Sequence, residues 1–182
     1  MAKERDHVPA YVITAHDHVE GDGAARVTLV EYGDFECPYS REAVTTIQAL
    51  QREFGHDLRF VFRHFPLAHK HPHAVQAAEA AEAAAAQGKF WPMYAMLFAH
   101  QWDLEYRDLM DYAGQLDLDR PQFGEALKQH RYLDRVRTDA ASGHQHGVTG
   151  TPTFFVNDQR QDGADDVHTL SVAIRHALGA SA

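Results

Sequence analysis

The order of apolar and polar positions divides the chain into a strand-rich beginning, a long helical middle and a strand-rich end. Arg26-Val27-Thr28-Leu29-Val30-Glu31-Tyr32 is rich in β-branched residues and predicts a strand, which Gly33-Asp34 ends. Ala43, Ile47, Leu50 and Phe54 then recur at helical spacing. They predict a helix that starts near Cys37 and stops at Gly55, a suitable C-terminal cap. Pro38 falls in the first turn, where a missing N–H has no intrahelical partner to lose. Asp57 to Phe65 alternates and predicts a second strand, closed by Pro66. Strand, helix and strand together have the length of a βαβ unit. Ahead of them, residues 1 to 25 are polar, with a weak strand signal at Tyr11-Val12-Ile13 and a turn at Gly21-Asp22-Gly23.

From about His73 to Gly147 the pattern is helical. Ala74 to Gln87 is alanine-rich and has high helix propensity, and Gly88 breaks it. Phe90, Trp91, Met93, Tyr94, Leu97 and Phe98 predict an aromatic amphipathic helix whose stripe is core. Arg107 to Gln115, Arg120 to Gln129 and Arg131 to about Ser142 predict three more helices. Gly150 to Asn157 returns to a strand pattern, Asn157-Asp158 is a turn, and a short last strand is expected near Arg160. Asp165-Asp166 can cap a final helix carrying Leu170, Val172, Ile174 and Leu178. The predicted order is β-α-β, helices, β-β-α. It reads as one α/β domain over 1–182, a mixed sheet with a helical subdomain inserted at about 70–146.

Composition narrows the function. The chain has 182 residues, 45% hydrophobic and 24% charged, as in ordinary globular proteins. No apolar run reaches the roughly 20 residues that span a bilayer. The N-terminus is charged and lacks the apolar region of a secretory signal, so the expected location is cytoplasmic, or periplasmic or secreted if a leader has been removed. A formal net charge of −9 argues against nucleic acid and anionic membrane surfaces as partners. A single cysteine excludes an internal disulfide and any cysteine-based zinc site.

That cysteine, Cys37, lies just after a predicted strand and at the start of a helix. N–H groups there have no intrahelical partner, and the helix dipole adds positive potential. Both favour a thiolate, the nucleophilic form, and can lower a pKa near 8.5 to about 3.5–7.5. Asp34 and Glu36 act in the opposite direction if they lie close. The plainer alternative is a buried, inert cysteine packed like a small hydrophobe.

Val30-Glu31-Tyr32-Gly33-Asp34-Phe35-Glu36-Cys37-Pro38-Tyr39-Ser40 resembles the active-site segment of the DsbA-like branch of the thioredoxin superfamily, which usually carries Cys-Pro-Tyr-Cys. Far downstream, Gly147-Val148-Thr149-Gly150-Thr151-Pro152-Thr153-Phe154 is similar to that branch's cis-proline loop. Phe62 to Leu67 and Gly88 to Trp91 resemble further recurrent segments, and the likeness extends from about Asp17 to Leu178. The resemblance implies a thioredoxin fold with a helical insertion and a thiol–disulfide oxidoreductase. Cys37 would be the nucleophile, with Pro38 and Tyr39 completing its motif. Gly150, Thr151 and a cis Pro152 would bind an extended substrate segment. Glu31 would be a buried acid beneath the site, or else an outward-facing residue of an edge strand. The partner would be a disulfide-containing or glutathionylated protein or peptide. No cofactor is implied, apart from glutathione as a possible co-substrate.

The departure is Ser40, where a dithiol enzyme has its second cysteine. A hydroxyl cannot resolve a mixed disulfide, although it can donate a hydrogen bond to a thiolate. The expected chemistry is therefore monothiol exchange completed by an external thiol. Three alternatives stay open: a kappa-type glutathione transferase-like enzyme, a peptide-binding module without turnover, or an engineered Cys-to-Ser trap.

The chain has 14 histidines. His69, His71 and His73 alternate, as do His144 and His146, a pattern able to ligate zinc or nickel. No acidic or cysteine partner stands at ligand spacing, so no metal site is expected. His64 or His144 is a further possibility for a cysteine–imidazole pair.

Overall fold

The structure, a computed structural model, describes residues 12–163 and 166–180. Its centre is β2 (Val27–Gly33), every residue of which is buried. A strand covered on both faces needs apolar side chains on both, which is why Val27 and Leu29 face one core and Val30 and Tyr32 another. β3 (Leu58–His64) lies parallel to β2, and the crossover that parallel pairing requires is α1 (Pro38–Phe54). β4 (Thr153–Val156) lies antiparallel on the other side of β2, and β5 (Gln159–Gln161) is antiparallel to β4. β1 (His18–Gly21) pairs antiparallel with β3 and forms the opposite edge. The sheet order is β1-β3-β2-β4-β5.

Between β3 and β4 run five helices, α2 (Ala74–Ala85), α3 (Phe90–Ala99), α4 (Tyr106–Gln115), α5 (Arg120–Lys128) and α6 (Leu133–Gln145); α7 (Val167–Ala180) follows β5. The larger core joins one face of the sheet, through Leu29, Phe60, Phe62 and Phe154, to the inserted helices. α2 is buried along nearly its whole length, Glu79 and Glu82 included. Its alanines let several neighbouring helices approach closely, because the distance between helix axes follows the side chains at the contact. The predicted aromatic stripe is core: Phe90, Met93, Tyr94, Leu97 and Phe98 are all buried, and Trp91 packs against them.

Several expectations are corrected. Val12 and Ile13 belong to no strand, while Tyr11 lies outside the described residues. The first strand is instead β1, four residues whose identity as a strand comes from pairing with β3 and not from apolar alternation. α2 ends at Ala85, short of Gln87, and Gly88 takes a left-handed φ of 73°. α6 begins at Leu133 rather than Arg131 and continues past Ser142 to Gln145. Asp166 caps α7 by accepting the Thr169 N–H at 3.0 Å, while Asp165 lies outside the described residues. Among the described residues no helix is long and apolar enough to cross a membrane.

Candidate active site

β2 delivers the chain into a tight loop that ends at Cys37, the N-cap of α1, with Pro38 at its first position. The Cys37 N–H donates to the Asp34 carbonyl at 3.0 Å, so the loop closes on itself just before the helix begins. The first turn carries no acidic side chain. The Cys37 residue is only 3% exposed, and its thiol donates to the Thr151 carbonyl at 3.3 Å. The Thr151–Pro152 peptide bond is cis. Residues 114 positions apart in sequence thus meet at the sulfur. A cavity of about 310 Å³ opens beside this second loop, lined by Gly150, Thr151 and Pro152 and, from the far side, by Arg160 to Gly163.

The two acids flanking the loop are both engaged. Asp34 is buried; one oxygen accepts the Glu36 N–H at 2.8 Å. The other oxygen meets the Leu67 N–H and His71 Nδ1, each at 2.8 Å. Glu36 accepts the His73 N–H at 2.7 Å and lies 3.0 Å from His73 Nδ1. The alternating histidines therefore do not converge on a shared ion. They serve as partners that bind the start of the insertion to the cysteine loop, while His69 is exposed. Gln101, buried, completes the frame by donating to the carbonyls of Phe35 and Cys37 at 2.9 and 2.8 Å.

Ser40 is fully buried, and its hydroxyl meets the Asp34 N–H at 3.3 Å rather than the Cys37 sulfur. The hydroxyl that could have donated to the sulfur thus braces the loop instead. Tyr39 points outward, 60% exposed, and Trp102, 78% exposed, lies under the Arg41 guanidinium.

Glu31 is the other outlier. It sits on the central strand and not on an edge, with no measurable exposure and no hydrogen-bond partner for either oxygen among the described residues. Burial alone pushes its carboxyl up to about 8. Gly33 makes the space for it: a Cβ there would fall 2.8 Å from Glu31 Oε1 and 2.4 Å from the Phe62 ring.

Two imidazole–cysteine pairings do not form. His144 packs on Phe65, with ring centroids 4.7 Å apart. His64 points to Glu82, at 2.9 Å from Nε2, and the same Glu82 oxygen lies 2.7 Å from His18 Nε2. Burial pushes Glu82 up, but the two imidazoles outweigh it and hold the carboxyl well below the usual range. The sequence reading missed Gln101, His18 and Glu82. Gln101 and Glu82 gave no signal, since neither lies near Cys37 in sequence, and His18 was one polar residue in a polar segment.

A cysteine at the start of the helix that follows a central strand, in contact with a cis-proline loop, belongs to the thioredoxin fold. The comparisons agree. The sequence pattern of a family described as Thioredoxin matches residues 14–176, and the chain belongs to that family. Its structure superimposes on oxidised BdbD from Bacillus subtilis with a TM-score of 0.83 and 25% identity, covering 90% of this chain and 94% of that one. It matches a thioredoxin-like oxidoreductase from Silicibacter pomeroyi at a TM-score of 0.81 and 26% identity, covering 91% and 94%. The fold is that of DsbA-like thiol–disulfide oxidoreductases. In sequence, the chain is 47% identical over 162 residues to a protein of Salinispora arenicola named Na(+)/H(+) antiporter NhaA 1, covering 89% of this chain and 25% of that protein. The chain thus spans about a quarter of the length of the curated relatives it matches.

Proposed function

We propose that this protein carries out thiol–disulfide exchange through one nucleophile, Cys37, on disulfide-containing or glutathionylated proteins. The Cys37 thiolate attacks one sulfur of the substrate disulfide, the old S–S bond breaks, and its electron pair leaves with the departing sulfur as a thiolate. The mixed disulfide on Cys37 is then attacked by an external thiol such as glutathione, which returns Cys37 to the thiolate. The observation that carries this reading is the meeting of Cys37 Sγ with the Thr151 carbonyl at the cis-proline loop, with serine at position 40. Gly150, Thr151 and Pro152 offer an extended substrate their backbone, as in strand addition. Glu31, with a carboxyl near 8, is suited to accept or release the proton that the thiol exchanges near neutrality.

The test is release of glutathione from a glutathionylated peptide in buffer containing reduced glutathione. Turnover is expected in wild type and in Ser40→Ala and is absent in Cys37→Ala. Peptide binding without turnover in wild type would sink the enzymatic reading in favour of a peptide-binding module.

A second reading concerns the setting of this activity. Relatives 46–47% identical over most of this chain are named sodium/proton antiporters, of which the chain covers a quarter. We infer that the module works physically coupled to such an antiporter. Co-purification from detergent-solubilised membranes with the antiporter of the same cell is the expected result, and its absence under mild detergent argues against the coupling.

A further inference from the structure

We propose that His18, His64 and Glu82 form a binding site for a divalent transition cation of the zinc class, independent of the reaction at Cys37. The three side chains come from three elements, β1, β3 and α2, and one ring nitrogen of each histidine and one Glu82 oxygen all lie within 4.8 Å of one another. Two imidazole nitrogens and one carboxylate are the donor set of open zinc sites, which keep a fourth position for water. The polar end of the cluster is reachable from outside, because the His18 side chain is 13% exposed.

Both rings are held in place. His18 lies flat on Phe90, centroids 3.4 Å apart and planes 4° apart. His64 stands edge-on to Phe62 at 5.5 Å and to Phe90 at 6.1 Å, and tilted against Phe35 at 5.9 Å. This apolar collar lowers the local dielectric around the donors. Very little movement is needed for coordination. The two nitrogens now lie 2.7 and 2.9 Å from Glu82 Oε1. Zinc bonds of about 2.0–2.1 Å in tetrahedral geometry place ligand atoms about 3.3 Å apart. Coordination at Nε2 moves the ring proton to Nδ1, and His64 Nδ1 is buried with no partner to displace among the described residues.

Two features limit the affinity. Among the described residues, that same Nδ1 has no acceptor of the kind that usually supports a ligating histidine. The Arg135 guanidinium lies 3.9 Å from Glu82 Oε1, although Asp139 also pairs with it. Together they predict binding about 10- to 100-fold weaker than at a fully supported site.

The experiment uses the whole chain, purified without a metal column, stripped with chelator and carrying Cys37→Ser so that the thiol is not a ligand. Zinc is titrated by calorimetry and cobalt(II) by its visible absorption. The expected result is one equivalent bound, with the intense cobalt bands of a four-coordinate site and a raised melting temperature. Binding should weaken at least about 10-fold in His18→Gln and Glu82→Gln and stay unchanged in His69→Gln. If Glu82→Gln does not fold, His18→Gln on the edge strand decides the matter. Sub-stoichiometric binding, or stoichiometric binding that survives His18→Gln, overturns the proposal.

Discussion

Asp34 and Glu31 lie three residues apart, on either side of the point where β2 becomes the Cys37 loop, and the fold treats them in opposite ways. Asp34 has partners for both oxygens: two backbone N–H groups and His71. Glu31 has none among the described residues, and burial drives its carboxyl up to about 8. A carboxylate that accepts several hydrogen bonds is a structural anchor, whereas an unpartnered one in low dielectric is held close to neutrality and can exchange a proton. The loop acid is thus braced by hydrogen bonds, and the strand acid is left without them among the described residues. It also answers what the acids around Cys37 do: Asp34 and Glu36 are bound to the insertion through His71 and His73.

The largest expected effect comes from Glu31. Its carboxyl titrates near 4.5 in the unfolded chain and near 8 in the folded one. Between those values the native state holds a proton that the unfolded state has released, so stability falls as pH rises and the loss is complete above about pH 8. The full span is on the order of 5 kcal/mol. Urea unfolding of wild type and Glu31→Gln at pH 5 and pH 8 should show the variant gaining on wild type by a few kcal/mol between the two, as an order-of-magnitude expectation. Parallel pH dependence in the two proteins would break the contrast.

Next comes Asp34→Ala, which leaves the Glu36 and Leu67 N–H groups without their acceptor. It is expected to destabilise by on the order of 3 kcal/mol. Hydrogen exchange should localise the damage to the loop and to the segment from Leu67 to His73. The smallest effect is expected at Glu36→Gln. This pair is partly solvent-exposed, His73 to 40%, so screening holds its contribution to about 0.5–1 kcal/mol. A Glu36→Gln loss as large as that of Asp34→Ala would show that burial does not govern the difference between the two pairs.

Much of this was legible in the sequence. β2, α1, β3 and the helical middle follow from apolar spacing, because those elements bury a face whose period is visible in one strand of text. The strand after the cis-proline loop and the cap at Asp166 were equally readable. β1 was not, because a short edge strand gains its stability from pairing with β3 rather than from a buried face. At the site, Cys37, Ser40 and the Thr151–Pro152 loop were identified by motif. The partners that support them were out of reach. Gln101 arrives from 64 residues away, and the histidine pattern at 71 and 73 carried no sign that its targets were the acids beside the cysteine. Burial of Glu31 was left open because strand alternation alone does not tell a central strand from an edge.

On the proposed mechanism Cys37 reacts in the folded protein although the residue is only 3% exposed. The direct measurement is the second-order rate constant for its reaction with oxidised glutathione, in native and in urea-unfolded protein at the same pH, followed by intact mass. The native protein is expected to react faster, to gain one glutathione, and to lose it again to reduced glutathione. A native protein that stays unmodified while the unfolded chain reacts would contradict it, and would make Cys37 an inert, buried thiol.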